Sequence, residues 1–153
     1  MGRTLYVVDD DPTTLKILPA VLNVHLPDIP VESCSSPAEA LRLILAKPSS
    51  AVISDIRMPQ MDGFELLMSL KAARTEIPLI LMSGEADSAI ATRAFEAGAF
   101  DVFAKPFSAQ DLVESVRLAL CEYTLTREIQ ALTQKRRRAR QRAPADRVAP
   151  PLR

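Results

Sequence analysis

Ala51-Val52-Ile53-Ser54-Asp55, continued by Ile56-Arg57-Met58-Pro59-Gln60-Met61-Asp62-Gly63, is the stretch on which the fold turns. Ala51-Val52-Ile53 is a short apolar run without polar alternation, the pattern of a strand covered on both faces. It ends at Ser54-Asp55. Pro59 and Asp62-Gly63 mark a loop, after which Phe64, Leu66, Leu67 and Leu70 recur at helical spacing. The unit is strand, loop, helix, with a carboxylate at the carboxyl end of the strand.

Units of the same kind lie on both sides. Towards the carboxyl terminus, Pro78-Leu79-Ile80-Leu81-Met82 reads as a strand ending at Ser83-Gly84, and the Ala-rich helix after it stops at Gly98. Val102-Phe103 reads as a short strand before Lys105-Pro106, and Ser108 is placed to cap a last helix. Towards the amino terminus, Ile29 to Cys34 is a strand, and Ser36-Pro37-Ala38-Glu39 has the capping pattern of a helix carrying Leu41, Ile44 and Leu45. Thr4 to Val8 is the first strand. Asp9-Asp10-Asp11-Pro12 ends it, with Asp11 as a cap and Pro12 in the first helical turn. Pro19 falls inside that helix, so a kink or an early break is expected there. Five such units predict an α/β fold, a doubly wound (βα)5 parallel sheet. Ligands of such sheets bind beyond the carboxyl ends of the strands, where strand order reverses.

The residues expected at those ends are Asp9 and Asp10, Asp55, Ser83 and Lys105. Two carboxylates 4 Å apart repel by roughly 4 kcal/mol at an effective dielectric near 20. A cluster of them therefore needs a proton, a cationic side chain or a metal. An acidic, partly hydrated oxygen-ligand site suits Mg²⁺, and Lys105 adds positive charge. A carboxylate beside a metal can act as a nucleophile towards phosphorus, with Lys105 and the Ser83 hydroxyl pairing with phosphoryl oxygens. Taken singly, the parts have plainer readings. Asp9-Asp10-Asp11 would suit a helix start, Asp62-Gly63 a turn, Ser83 a structural hydroxyl and Lys105 a solvated amine. Only the set points to phosphoryl chemistry.

Val7-Val8-Asp9-Asp10, Ser54 to Gly63, Leu81-Met82-Ser83-Gly84 and Ala104-Lys105-Pro106-Phe107 occur together in this order. With them the chain resembles the response-regulator receiver family of two-component signalling over about residues 3–122. The resemblance implies a flavodoxin-like sheet of strand order 2-1-3-4-5. It implies Asp55 as the phosphoacceptor, supplied by a histidine kinase or phosphotransfer protein. Mg²⁺ would be held by Asp9, Asp10, Asp55 and the backbone carbonyl of Arg57. Ser83 and Lys105 would engage the phosphoryl group, and a downstream protein target would read the change. Beyond self-phosphorylation and autodephosphorylation, no enzyme activity is implied. The Lys105-Pro106 peptide would be cis, and Gly63 would serve a loop conformation that a side chain hinders. Arg57 and Glu85 would flank the site. The sequence departs from the family pattern at Val102, where members often carry Tyr or Phe as a switch. Phe103 cannot substitute, because strand neighbours point to opposite faces. A phosphotransferase or phosphatase of similar fold is disfavoured, because Arg57 stands where a second acid/base Asp would be needed.

Charge divides the chain. Residues 1–122 carry 17 acidic against 10 basic side chains, and residues 123–153 carry 2 against 9, so a net charge of zero hides an acidic body and a basic tail. Residues 1–122 are read as the receiver domain, and 123–153 as a helical extension and basic, disordered tail. Leu118, Leu125 and Leu132 recur every seven residues, with Cys121 and Ile129 near the same stripe, which suggests a homodimer seam against the plainer reading of a fraying helix. Lys135 to Arg142 is a basic run without interleaved aromatics. It is read as solvated, with nucleic-acid binding as the alternative. Pro144, Pro150 and Pro151 lie in a stretch composed like disorder. No membrane span and no signal-peptide pattern are present, so a cytoplasmic place is expected. Cys34 and Cys121 have neither metal-like nor redox-like spacing. The chain reads as a stand-alone receiver or the front of a larger protein.

Overall fold

The computed structural model describes residues 3–47, 49–84 and 88–143. Five strands, β1 (Leu5–Val8), β2 (Val31–Cys34), β3 (Ala51–Asp55), β4 (Leu79–Ser83) and β5 (Asp101–Ala104), form one sheet in the order β2-β1-β3-β4-β5. Every pairing is parallel. Five helices alternate with them: α1 (Pro12–His25), α2 (Pro37–Ala46), α3 (Gly63–Ala72), α4 (Ser88–Ala97) and α5 (Ala109–Arg142).

Strand alternation sorts the core into two layers. Leu5, Val7, Ile53, Ile80 and Met82 point to the face covered by α1 and α5, where Leu18, Leu22, Leu112 and Val116 meet them. Tyr6, Val8, Val52, Leu79 and Leu81 point to the face covered by α2, α3 and α4, against Ile44, Phe64, Leu67 and Ala94. The continuous apolar runs of the strands are thus explained by a sheet buried on both sides.

The helix starts follow the capping residues. Asp11 accepts from the Thr13 N–H at 3.0 Å, Ser36 from Glu39 at 3.3 Å and Ser108 from Asp111 at 3.4 Å. Asp62 does the same for α3, accepting from the Glu65 N–H at 2.8 Å. Gly98 has φ of 94° just past α4, the left-handed position a glycine takes most readily.

The early break expected at Pro19 does not occur, since α1 runs on to His25. Pro19 has no N–H to give to the Leu15 carbonyl one turn back. That carbonyl instead accepts the Ser33 hydroxyl from β2, at a long 3.4 Å. Burial of Leu18 and Leu22 on either side of the proline holds the helix to the sheet. At the other end of the chain α5 crosses residue 122 without interruption and takes in the basic run Lys135–Arg142, all of it exposed. Lys, Arg, Gln and Ala are good helix formers, which accounts for the continuation. The proline-rich stretch from Pro144 to Arg153, and Glu85, lie outside the described residues. No described helix is long and apolar enough to cross a membrane.

Candidate functional site

The sheet order reverses between β1 and β3, and the site stands at their carboxyl ends. Val8 is in register with Ser54, so Asp9 and Asp55 leave neighbouring strands at matching levels. Ser83 is in register with Ala104, which brings Lys105 in beside the end of β4. The Lys105 N–H donates to the Ser83 carbonyl at 2.7 Å, and the Lys105-Pro106 peptide is cis, as expected.

Carboxylate oxygens of Asp9, Asp10 and Asp55 lie within 4.8 Å of one another. Asp9 is fully buried, Asp10 exposed and Asp55 between the two. The Lys105 ammonium reaches both inner carboxylates, 3.2 Å from Asp9 Oδ2 and 3.4 Å from Asp55 Oδ1. Backbone donors orient the acids: Asp11 N–H gives to Asp9 Oδ1 and Ile56 N–H to Asp55 Oδ1, each at 3.0 Å. Burial pushes the Asp55 carboxyl above the usual carboxylate range and the Asp9 charge adds to this, while Lys105 and the Ile56 N–H offset only part. Burial draws the Lys105 ammonium down, but the charges of Asp9 and Asp55 outweigh it and its net shift is upward. One lysine therefore serves two carboxylates, and the group retains an excess of negative charge facing solvent at Asp10. All side-chain donors to a cation here are oxygens, a set that fits a hard divalent ion.

Of the residues expected in the site, Asp9, Asp10, Asp55 and Lys105 come together directly. Ser83 is buried at the end of β4, and Arg57 is exposed in the loop two residues past Asp55. The reason for Gly63 differs from the one expected. A Cβ on Gly63 would stand 2.5 Å from the Asp55 carbonyl oxygen and 3.0 Å from Ile56 Cα, so the residue is small for close approach. The unusual backbone in this loop belongs to Gln60, at φ of 72°. Val102 packs in the α2–α4 layer and Phe103 in the other, where its ring meets Phe107 edge-on at 5.6 Å between centroids. The aromatic beside the switch position is thus turned away from it, as strand geometry requires. A contribution that the sequence did not disclose is Ser54, whose hydroxyl donates to the Asp55 carbonyl at 2.9 Å. Its only sequence signal is its place at the strand end.

The family model of the response regulator receiver domain matches residues 5–117, and the chain belongs to that family. Among its relatives is the C4-dicarboxylate transport transcriptional regulatory protein DctD of Rhizobium meliloti, 40% identical over 116 residues, which are 76% of this chain and 25% of that protein. The response regulator protein TodT of Pseudomonas putida is 35% identical over 119 residues, 78% of this chain and 52% of that one. The crystal structure of a response regulator receiver domain protein from Clostridium thermocellum superposes with a TM-score of 0.74 at 28% identity, covering 81% of this chain and 98% of that one. The chain thus spans about a quarter to half the length of these two curated relatives.

Proposed function

We propose that Asp55 is the phosphoryl acceptor of a two-component response regulator, supplied by the phosphohistidine of a histidine kinase or phosphotransfer protein in the cytoplasm. The observation that carries this reading is the meeting of the Asp9, Asp10 and Asp55 oxygens within 4.8 Å, with Lys105 set between Asp9 and Asp55. In the transfer, an Asp55 carboxylate oxygen forms the new bond to phosphorus as the phosphorus–nitrogen bond of the donor breaks and imidazole leaves. Lys105 pairs with a phosphoryl oxygen in place of the Asp55 carboxylate it now contacts. The Ser83 hydroxyl, at the adjacent strand end, donates to another.

Asp9, Asp10, Asp55 and the Arg57 carbonyl are the groups that would hold Mg²⁺. Bound there, the ion would offset the charge on the phosphoryl oxygens. Downstream, phosphorylation biases two arrangements of the surface around α4, β5 and α5, read by a protein target. Val102 leaves that shift without the aromatic rotamer that family members often use. The nucleic-acid reading of the basic run gains no support over this one, because the family match, residues 5–117, ends ahead of Lys135.

The test is the intact mass of the protein after incubation with a small acyl-phosphate donor. A single phosphoryl adduct that forms with Mg²⁺ and not in chelator is expected. A protein that stays folded and unmodified under both conditions would end the proposal. Asp10 is the exposed member of the cluster, so Asp10→Asn should spare the fold while weakening Mg²⁺. Unit charges 4 Å apart interact by about 1 kcal/mol in bulk water and the cation carries two, which predicts at least a roughly tenfold loss of affinity. Titration of Mg²⁺ by calorimetry checks this, and unchanged affinity would remove Asp10 from the ligand set.

A further inference from the structure

Helix α5 is longer than the sheet needs. Its inner face buries Leu112, Val113, Val116, Ala119 and Leu120. On the far side Leu118, Leu125, Ile129 and Leu132 are 65%, 56%, 56% and 67% exposed, and the exposed thiol of Cys121 lies among them. At about 100° per residue these five positions fall within roughly 80° of arc, almost diametrically opposite the buried face. A partner helix laid on this stripe would lie on the side of α5 turned away from its packed face.

Charge along the same helix is segregated. Asp111, Glu114 and Glu122 stand in the half that packs on the sheet, and Lys135, Arg136, Arg137, Arg138, Arg140 and Arg142 crowd the last two turns. A parallel in-register pair would set each basic block against its own copy. An antiparallel pair would set it against the acidic half of the partner's helix.

We propose that the partner of this stripe is α5 of a second copy, antiparallel and centred on Leu125. In that register Leu125 meets its own copy, Leu118 meets Leu132 and Cys121 meets Ile129. Glu114 comes opposite Arg136, and Asp111 lies one position from Arg140 on the same flank. Glu122 and Glu128 are opposite by count but flank the stripe on different sides. The one like-charged approach, Arg117 with Lys135, is relieved because the Arg117 guanidinium is turned to the His25 carbonyl at 3.3 Å. The two receiver bodies lie on the outer sides of the pair. This inference stands on α5 alone and does not depend on the phosphoryl chemistry.

Disulfide trapping in the full chain tests it. Leu118→Cys and Leu132→Cys are made separately on a Cys121→Ser background, then oxidised alone and mixed. Cys34 is buried and stays out of the reaction. The expected result is a disulfide-linked dimer in the mixture and none from either variant alone. Wild-type Cys121 should form no crosslink, since in this register the two copies sit about 12 Å apart along the axis, beyond the roughly 7 Å between Cα atoms that a disulfide spans. Sedimentation of the wild type should show a dimer that weakens as salt rises. Crosslinking of either variant alone, or through Cys121, would mean a parallel pair and would overturn the proposal. A chain that is monomeric at every concentration, or that dimerises only with added nucleic acid, would overturn it as well.

Discussion

Asp55→Asn is expected to take up no phosphoryl group from a small acyl-phosphate donor at any Mg²⁺ concentration, and to be more stable than the wild type in metal-free buffer near pH 7. The amide keeps the volume of the side chain and an oxygen for the Ile56 N–H bond, now 3.0 Å. It loses the anionic oxygen that would attack phosphorus. The stability gain follows from the direction of the carboxyl's shift. Burial, then the Asp9 charge, raise the Asp55 carboxyl above its unfolded value. Folding therefore favours the protonated form. That contribution is complete below the unfolded carboxylate range and is lost as pH rises through the folded value. At neutral pH the ionised group opposes folding, and the amide removes the opposition, while Lys105 keeps its 3.2 Å contact with Asp9. The advantage of the variant should shrink on acidification, and Mg²⁺ should stabilise the wild type more than the variant. Urea unfolding of both proteins across pH, with and without Mg²⁺, reads all of this. A variant less stable than the wild type at every pH would mean that the Lys105–Asp55 pair outweighs burial and the Asp9 charge. A phosphoryl adduct on the variant would move the nucleophile to Asp9 or Asp10.

The sequence disclosed the fold where local and global signals agree. The runs at Leu5–Val8, Ala51–Ile53 and Leu79–Met82 are apolar because both faces of the sheet are covered, and each gives way to a polar residue, Asp9, Ser54 or Ser83, that is still buried but stands at the edge of the sheet where the site is built. Caps at Asp11, Ser36 and Ser108 are local chemistry and were legible for that reason. The same logic placed Asp9, Asp55 and Lys105 at one edge, since parallel crossovers return every strand with its carboxyl end on the same side. Tertiary compensation was hidden. Pro19 reads as a breaker, and nothing local says that a hydroxyl from β2 would reach the carbonyl it leaves unpaired. The length of α5 was open, because a stripe of leucines does not say whether a helix frays beyond its packed half. The two-fold pairing of Lys105 was equally out of reach, since it depends on distances across the sheet.

Gly63→Ala is expected to lower stability by about 1–3 kcal/mol, the usual cost of overpacking, and to slow phosphorylation with it. The added Cβ would meet three neighbours: the Asp55 carbonyl oxygen at 2.5 Å, Leu81 Cδ2 at 2.9 Å and Ile56 Cα at 3.0 Å. Leu81 can turn its side chain, but the other two are backbone. Their freedom is small, because the Asp55 carbonyl also accepts the Ser54 hydroxyl at 2.9 Å and the Gly63 N–H donates to the Ile56 carbonyl at 2.8 Å. Relief must come from moving the start of α3 away from the end of β3. That shift loosens Phe64 and Leu67 in the core and displaces the loop that carries Arg57. Alanine is the better helix former by up to about 1 kcal/mol in a helix interior, but Gly63 is the first residue of α3, where little of that is recovered. Gly84→Ala is the matched control, since a Cβ there meets nothing within 4 Å. Chemical denaturation of both variants and the rate of adduct formation for Gly63→Ala provide the comparison. Equal stability of Gly63→Ala and wild type would show that α3 is free to move off β3, and that the acidic site does not depend on this close contact.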